Sequence, residues 1–218
     1  MSRKLNAPEM DYKTIHHSSI VTYLKVICMS FRKAQVSRPI AYLTIMKRIL
    51  KDSLGVFLLK GWKQTDKEKI VLVDDYIIHE VIKIHSESFQ DKNEKDIIKY
   101  SKSSRKIFYV AKSHEGVVGY CIYYLKPVIS SSGFKKQAVI CSIATDRNFR
   151  GKGVGKKLLK ESIKEMRLNK ISSIILYVSK NNVPAIRLYE KMGFVTTGQI
   201  ENICGQKKKC YKMELRLV

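Results

Sequence analysis

Residues 149–160 read Phe-Arg-Gly-Lys-Gly-Val-Gly-Lys-Lys-Leu-Leu-Lys, a set of residue types and spacings suited to holding an anion. Glycines at 151, 153 and 155 let backbone N–H groups come close to a ligand. The segment follows the apolar run 138–144 and leads into a stretch with helical periodicity at Leu158, Leu159, Ser162, Ile163 and Met166. A helix begun here directs its free N–H groups and partial positive charge at the turn, and Arg150, Lys152, Lys156 and Lys157 supply full charges. The expected chemistry is that of a pyrophosphate cradle. Two nucleotide patterns fail on spacing. A dinucleotide fingerprint needs a glycine at its sixth position, where this chain has Lys156, and a P-loop needs Ser or Thr after Gly155-Lys156, where it has Lys157.

A second constellation lies downstream. Leu176-Tyr177-Val178 closes an apolar run, Ser179-Lys180-Asn181-Asn182 makes a turn, and Val183 to Phe194 reads as a short helix ended by glycine. Asn182 suits the N-cap, Pro184 the first turn, and Gly193 the position past the end. Arg150-Gly151-Lys152-Gly153-Val154-Gly155 resembles the Arg/Gln-x-x-Gly-x-Gly/Ala signature of the GNAT superfamily of acetyl-CoA-dependent N-acetyltransferases. Asn182 to Phe194 is similar to the family's Asn-x-x-Ala-x-x-x-Tyr-x-x-x-Gly-Phe block, in the matching order.

That resemblance implies an α/β GNAT fold, with a mixed central sheet of about seven strands flanked by helices. It implies acetyl-CoA as cosubstrate, no metal, and direct acetyl transfer to a primary amine. The backbone of Ile143, Ala144 and Thr145 would pair with the pantetheine arm, as would be expected where family members often carry Ile-Ala-Val; Thr145 departs from that pattern. Arg150 to Lys156 would hold the pyrophosphate, Asn182 would contact the cofactor, and Tyr189 would act as general acid towards the leaving thiolate. A free thiol has a pKa of ~8.5 and a phenol ~10, so sharing a proton between them is energetically reasonable. The general base stays open. Enzymes of this family that acetylate the N-terminal alanine of a ribosomal protein carry a glutamate where this chain has Tyr177, and their acidic tail is replaced by the basic run Lys208 to Met213. Glu201, His85 and Glu87 are the remaining contenders for base or acceptor contacts. A protein or peptide amine, N-terminal or lysine, is the leading acceptor. The alternatives are a small amine, or a module that senses acetyl-CoA or binds nucleic acid without turnover.

The elements needed to position these residues can be read from periodicity and turn residues. We expect strands at 69–73, 107–112, 117–125, 137–145 and 172–178, helices at 76–89, 95–100 and 153–168, and a final hairpin over 194–204 and 208–217. His114-Glu115-Gly116 is a hairpin turn and 130–133 a flexible loop. Residues 63–218 form the transferase domain. Residues 1–62 form a basic, partly helical extension, with eleven Lys/Arg against three acids and an apolar stripe of Ile40, Leu43, Met46, Ile49, Leu50 and Leu54. We expect that stripe to pack on its own domain or on a twin subunit in a homodimer.

Composition limits the possibilities further. The 44% hydrophobic content is that of a globular chain, and its apolar runs are too short for a membrane span. Neither a signal peptide nor a Cys-x-x-Cys pair is evident, so we expect a cytoplasmic protein with its five cysteines reduced. Net charge +23 would steer an anionic cofactor and admits contact with nucleic acid or the ribosome. Lys207 to Lys209 and Lys212 in the last hairpin would favour an acidic acceptor peptide over polyamines if they border the acceptor groove.

Overall fold

The computed structural model describes residues 54–67, 70–89, 94–130, 133–204 and 209–217, all within one compact unit, Lys47–Val218. Most of the basic extension therefore lies outside the described residues. Of its expected apolar stripe only Leu54 is described, at the head of helical residues 54–58, and it is 37% exposed. Leu58, Leu59 and Trp62 are the residues of this stretch that enter the core.

Seven strands form one sheet in the order β1-β2-β3-β4-β5-β7-β6. They are β1 (Ile70–Leu72), β2 (Phe108–Ser113), β3 (Gly116–Ser130), β4 (Gly133–Thr145), β5 (Ile171–Ser179), β6 (Val195–Glu201) and β7 (Lys209–Arg216). Four longer helices among the described residues flank it: α1 (Ile78–Ser88), α2 (Glu94–Ser103), α3 (Val154–Leu168) and α4 (Val183–Lys191). All pairings are antiparallel except β4 with β5, which is parallel as a helical crossover requires. The expected α/β sheet and its element order are present.

Alternation along the strands gives each face its own core. Tyr109, Cys121, Tyr123, Ile174, Leu176 and Met213 face α3, whose Leu158, Leu159, Ile163 and Met166 recur at helical spacing and are at most 4% exposed. Phe108, Val110, Tyr120 and Ile122 face the opposite way, onto Val81 and Ile84 of α1 and Ile97 of α2.

Two expectations are corrected. The strands expected at 117–125 and 137–145 are longer than that: β3 and β4 run on to the pair Ser130↔Gly133, on either side of the loop expected at 130–133. Pro127, which lacks an N–H, lies within β3 beyond the last β2–β3 pair, Phe108↔Ile122. The cysteines are not all reduced: Cys204 and Cys210 form a disulfide. The β6–β7 register sets Cys210 opposite Ile200, so the chain returning from the turn passes within reach of Cys204, with Cα atoms 6.2 Å apart. Cys121 is a free thiol and is fully buried.

Glu165 of α3 ties the segment before β1 to the sheet. Its carboxylate is fully buried and ion-paired with Lys67. It also accepts from Trp62 Nε1 (2.7 Å), Tyr109 Oη (2.8 Å), Thr65 N (3.1 Å) and Thr65 Oγ1 (3.3 Å). Burial alone would raise its pKa, but the hydrogen bonds from Lys67, Trp62, Tyr109 and Thr65 outweigh it and hold the carboxyl below its ordinary value.

Candidate functional site

The site begins where β4 and β5 part. Their register ends at Val139↔Ile175, yet β4 continues to Thr145 and β5 to Ser179, so the carboxyl ends of two parallel strands open as a wedge. Clefts of this kind, outside the carboxyl ends of parallel strands, are where open α/β sheets take ligands. A bulge opposite Ile122/Tyr123 places Cys141 and Ser142 against a single step of β3. Bulges bend a strand and redirect its side chains, and this one lies just before Ile143, Ala144 and Thr145. Ile143 and Thr145 are half-buried and Ala144 is 8% exposed.

The glycine turn closes one end of the wedge. Asp146 accepts from Asn148 N at 2.8 Å and caps the tight turn Arg147–Phe149. Gly151 (φ +75°) and Gly153 (φ +82°) then adopt left-handed backbone, which an L side chain would strain. Nothing lies within 4 Å of a Cβ built at either, so glycine is required there for conformation rather than for space. Gly153 caps α3, and the first intrahelical acceptor is its carbonyl, taken by Lys157 N at 2.9 Å. The N–H groups of Val154, Gly155 and Lys156 have no acceptor within the helix, as at any helix start. Gly155 serves a different need. A Cβ there would sit 3.1 Å from Leu188 Cδ2, so this glycine lets α4 approach the start of α3.

Arg150 is exposed and joins three elements: its Nε donates to Thr145 O (3.2 Å) and its Nη2 to Ser88 Oγ of α1 (3.3 Å). Lys152 is exposed with its Nζ 5.0 Å from the Phe149 ring centroid, and Lys156 is exposed at the helix start. The basic residues singled out in the sequence therefore gather around one helix N-terminus.

On the far side of the wedge, Asn182 caps α4 by accepting from Ala185 N at 3.3 Å, and its side chain is otherwise exposed. Tyr189, next to the Leu188 that touches Gly155, is 6% exposed and packs on Phe194 with ring centroids 5.8 Å apart. Burial, and secondly the nearby Cys121, push its phenol well above the ordinary range, so it stays protonated at physiological pH.

The three contenders for the base, and Tyr177 where related enzymes carry a glutamate, are dispersed. Glu87 is exposed on α1, and Glu201 is exposed on β6 within 3.7 Å of Lys209. Tyr177 is half-buried on β5 opposite Lys212 of β7. It lies close enough to Tyr124 to help burial and Cys141 push that phenol up to about 12. His85 is buried, with Nδ1 2.7 Å from Tyr120 Oη, which in turn lies 2.9 Å from Ser142 Oγ. Sequence reasoning did not find Tyr120 or Ser142. The one available signal is a lone serine inside the apolar run 138–144.

Comparison with known proteins bears on this arrangement. A sequence profile described as "Acetyltransferase (GNAT) family" matches residues 75–194, more than half of the chain. Spermine/spermidine N(1)-acetyltransferase of Bacillus subtilis is 34% identical over 90 residues, covering 40% of this chain and 59% of that protein. N-acetylaspartate synthetase of Xenopus tropicalis is 30% identical over 105 residues, 47% of this chain and 36% of that one. The chain thus spans less than two thirds of the length of these relatives. Among solved structures, Ard1 from Thermoplasma volcanium superposes with a TM-score of 0.59 at 26% identity, covering 68% of this chain and 97% of that one. Arabidopsis thaliana Naa50, in complex with the bisubstrate analogue CoA-Ac-MVNAL, gives 0.58 at 22% identity over 68% and 99% of the two chains. The second likeness concerns the fold alone.

Proposed function

The chain belongs to the acetyltransferase (GNAT) family, and from that premise we propose that it moves an acetyl group from acetyl-CoA directly to a primary amine of a protein or peptide, N-terminal or lysine. The observation that carries the cofactor half of this reading is the convergence of the Gly151–Gly155 turn, the open β4–β5 wedge and buried Tyr189. The turn offers three free N–H groups and several cations to a pyrophosphate. The backbone of Ile143 to Thr145 offers strand-edge groups to the pantetheine amides and one N–H to the thioester oxygen. In the reaction the amine nitrogen attacks the thioester carbonyl, the oxyanion forms and collapses, the C–S bond breaks, and the thiolate takes a proton. Tyr189 supplies the hydrogen bond to that sulfur. Its raised pKa is matched by the greater basicity a thiolate acquires in equally dry surroundings, so the proton can pass late in bond cleavage.

The acceptor half rests on charge. Lys180 follows the end of β5 and Lys212 pairs with Tyr177 across β5 and β7, so the β5 side of the wedge carries two lysines. A polyamine would bring several positive charges to a site bordered by these lysines. The spermine/spermidine relative favours the small-amine reading, and this electrostatic argument sets it second. The test is thiol release by the purified full chain with acetyl-CoA and, in parallel, N-terminal peptides, lysine peptides, polyamines and aminoglycosides. Turnover on peptides that falls in Tyr189→Phe supports the proposal. Turnover confined to polyamines or aminoglycosides overturns the acceptor, and binding of acetyl-CoA without turnover on any amine points to a sensing module.

A further inference from the structure

A buried histidine, a buried tyrosine and a half-buried serine form one hydrogen-bonded line from α1 to the bulge of β4. His85 is 5% exposed and Tyr120 is 0% exposed. His85 Nδ1 lies 2.7 Å from Tyr120 Oη, and Tyr120 Oη lies 2.9 Å from Ser142 Oγ. The line crosses three elements in space order, α1, β3 and β4, and its outer member is the residue immediately before Ile143. Cys141 is the extra residue of the bulge, and Ser142, paired with Ile122 next to it, lies on the same face of the sheet as Tyr120, whose partner is Ala144. The same end of α1 is tied to the glycine turn, since Ser88, one turn beyond His85, accepts from Arg150 Nη2. Of Tyr177, Glu201, His85 and Glu87, His85 is the one whose ring reaches β4 through hydrogen bonds. Glu87 and Glu201 are exposed, and Glu201 is paired with Lys209.

We infer that Ser142, Tyr120 and His85 form a proton relay that deprotonates the acceptor amine, with His85 as its terminus. The inference rests on the transferase reading above. The starting state has the His85 tautomer in which Nδ1 accepts from Tyr120 O–H, and Tyr120 Oη accepts from Ser142 O–H. Ser142 Oγ then has a lone pair available to the amine. As the amine nitrogen forms its bond to the thioester carbon, its proton passes to Ser142 Oγ, the serine proton to Tyr120 Oη, and the tyrosine proton to His85 Nδ1. Each hydroxyl gains one proton and loses one, and His85 ends as the imidazolium. Neither hydroxyl is ever ionised, so the buried phenol needs no charge of its own, which its dry surroundings would penalise. An exposed carboxylate would need no such line. A histidine placed behind two hydroxyls can draw the proton from the cleft while lying outside it.

The test uses single-residue variants of the full chain, with whichever amine the wild type acetylates best in the panel above. Tyr120→Phe keeps the ring and removes only the bridging oxygen. His85→Asn and Ser142→Ala cut the line at its ends, and exposed His79→Asn is the control. The relay predicts kcat lower by roughly 10²-fold in each of the three, with KM for acetyl-CoA unchanged and His79→Asn at wild-type rate. It predicts that Tyr120→Phe combined with His85→Asn is no slower than either alone, because one break interrupts the whole line. It also predicts a wild-type solvent deuterium isotope effect that shows several protons in flight and shrinks in Tyr120→Phe. A merely structural network would alter thermal stability and leave that isotope effect in place. Tyr120→Phe within twofold of wild-type kcat, or losses that add in the double variant, overturns the relay. An unexpected acceptor class overturns only the peptide reading, since every ratio is taken on the amine that turns over.

Discussion

At its N-terminal end α3 leaves the N–H groups of Val154 to Lys156 and the side chains of Arg150, Lys152 and Lys156 turned to the surface, whereas further along the same helix Glu165 is fully buried and both its oxygens are engaged. One end leaves its polar groups without partners inside the helix, as the proposed pyrophosphate site requires. The other saturates its own internally and fixes residues 62–67 against β2 and α3. The contrast separates a binding surface from a structural anchor by how completely each polar group is satisfied, not by how many charges are present. Lysine-rich as the turn is, its cations make few internal contacts, and Glu165, a single acid, makes five.

The largest effect should come from the saturated end. Glu165→Ala leaves the Lys67 ammonium, the Trp62 N–H and the Tyr109 hydroxyl buried without their acceptor, and breaking a buried pair in this way costs about 3–5 kcal/mol. We expect the urea midpoint to fall accordingly with little change in slope, while acetyl-CoA affinity of the folded fraction is retained. Loss of affinity in folded protein at low temperature would mean the two ends are coupled after all.

At the ligand end the order reverses. Tyr189→Phe should lower kcat by roughly 10²-fold, equivalent to about 2.7 kcal/mol of barrier, with thermal stability and acetyl-CoA affinity close to wild type. An unchanged kcat would reduce Tyr189 to a core residue packed on Phe194. Gly153→Ala comes next. Its φ of +82° costs an L residue about 1–2 kcal/mol, and relief of that strain would move the free N–H groups. Calorimetric titration with CoA should show weaker binding, more so than for Gly151→Ala, which lies outside the helix cap.

The contrast also explains what could be read from the chain before its folding was known. The proposed ligand end is local: the left-handed glycines 151 and 153 and the Asn182 cap lie within a few consecutive residues of the elements they shape, so turn chemistry and helix capping reveal them. The stripe Leu158, Leu159, Ile163 and Met166 is equally local and is found buried. The anchor is not local. Trp62, Thr65 and Lys67 meet Glu165 across about a hundred residues, and a glutamate among lysines on a basic helix reads as solvated. The same holds for Tyr120 and Ser142, which meet only through the β3–β4 register, and for Cys204 and Cys210, joined only once the β6–β7 register is set.

The smallest expected effect is the one that best isolates the anchor's charge. Glu165 has a folded pKa below its unfolded value of ~4.3, because donated hydrogen bonds and Lys67 favour the carboxylate more than burial disfavours it. A depressed acid contributes stability that is present above the unfolded value and is lost as pH falls through the folded one. The loss is smaller than in Glu165→Ala, since a protonated carboxyl still fills the space and still accepts hydrogen bonds from Trp62 and Thr65. Glu165→Gln keeps that shape and cannot titrate. The difference in unfolding free energy between wild type and Glu165→Gln should therefore be flat from pH 8 to about 5 and shrink towards pH 3, while contributions from the other carboxylates cancel in the subtraction. A difference that stays constant across the range would mean the anchor works through shape and neutral hydrogen bonds, and that Lys67 is satisfied as well by an amide as by a charge.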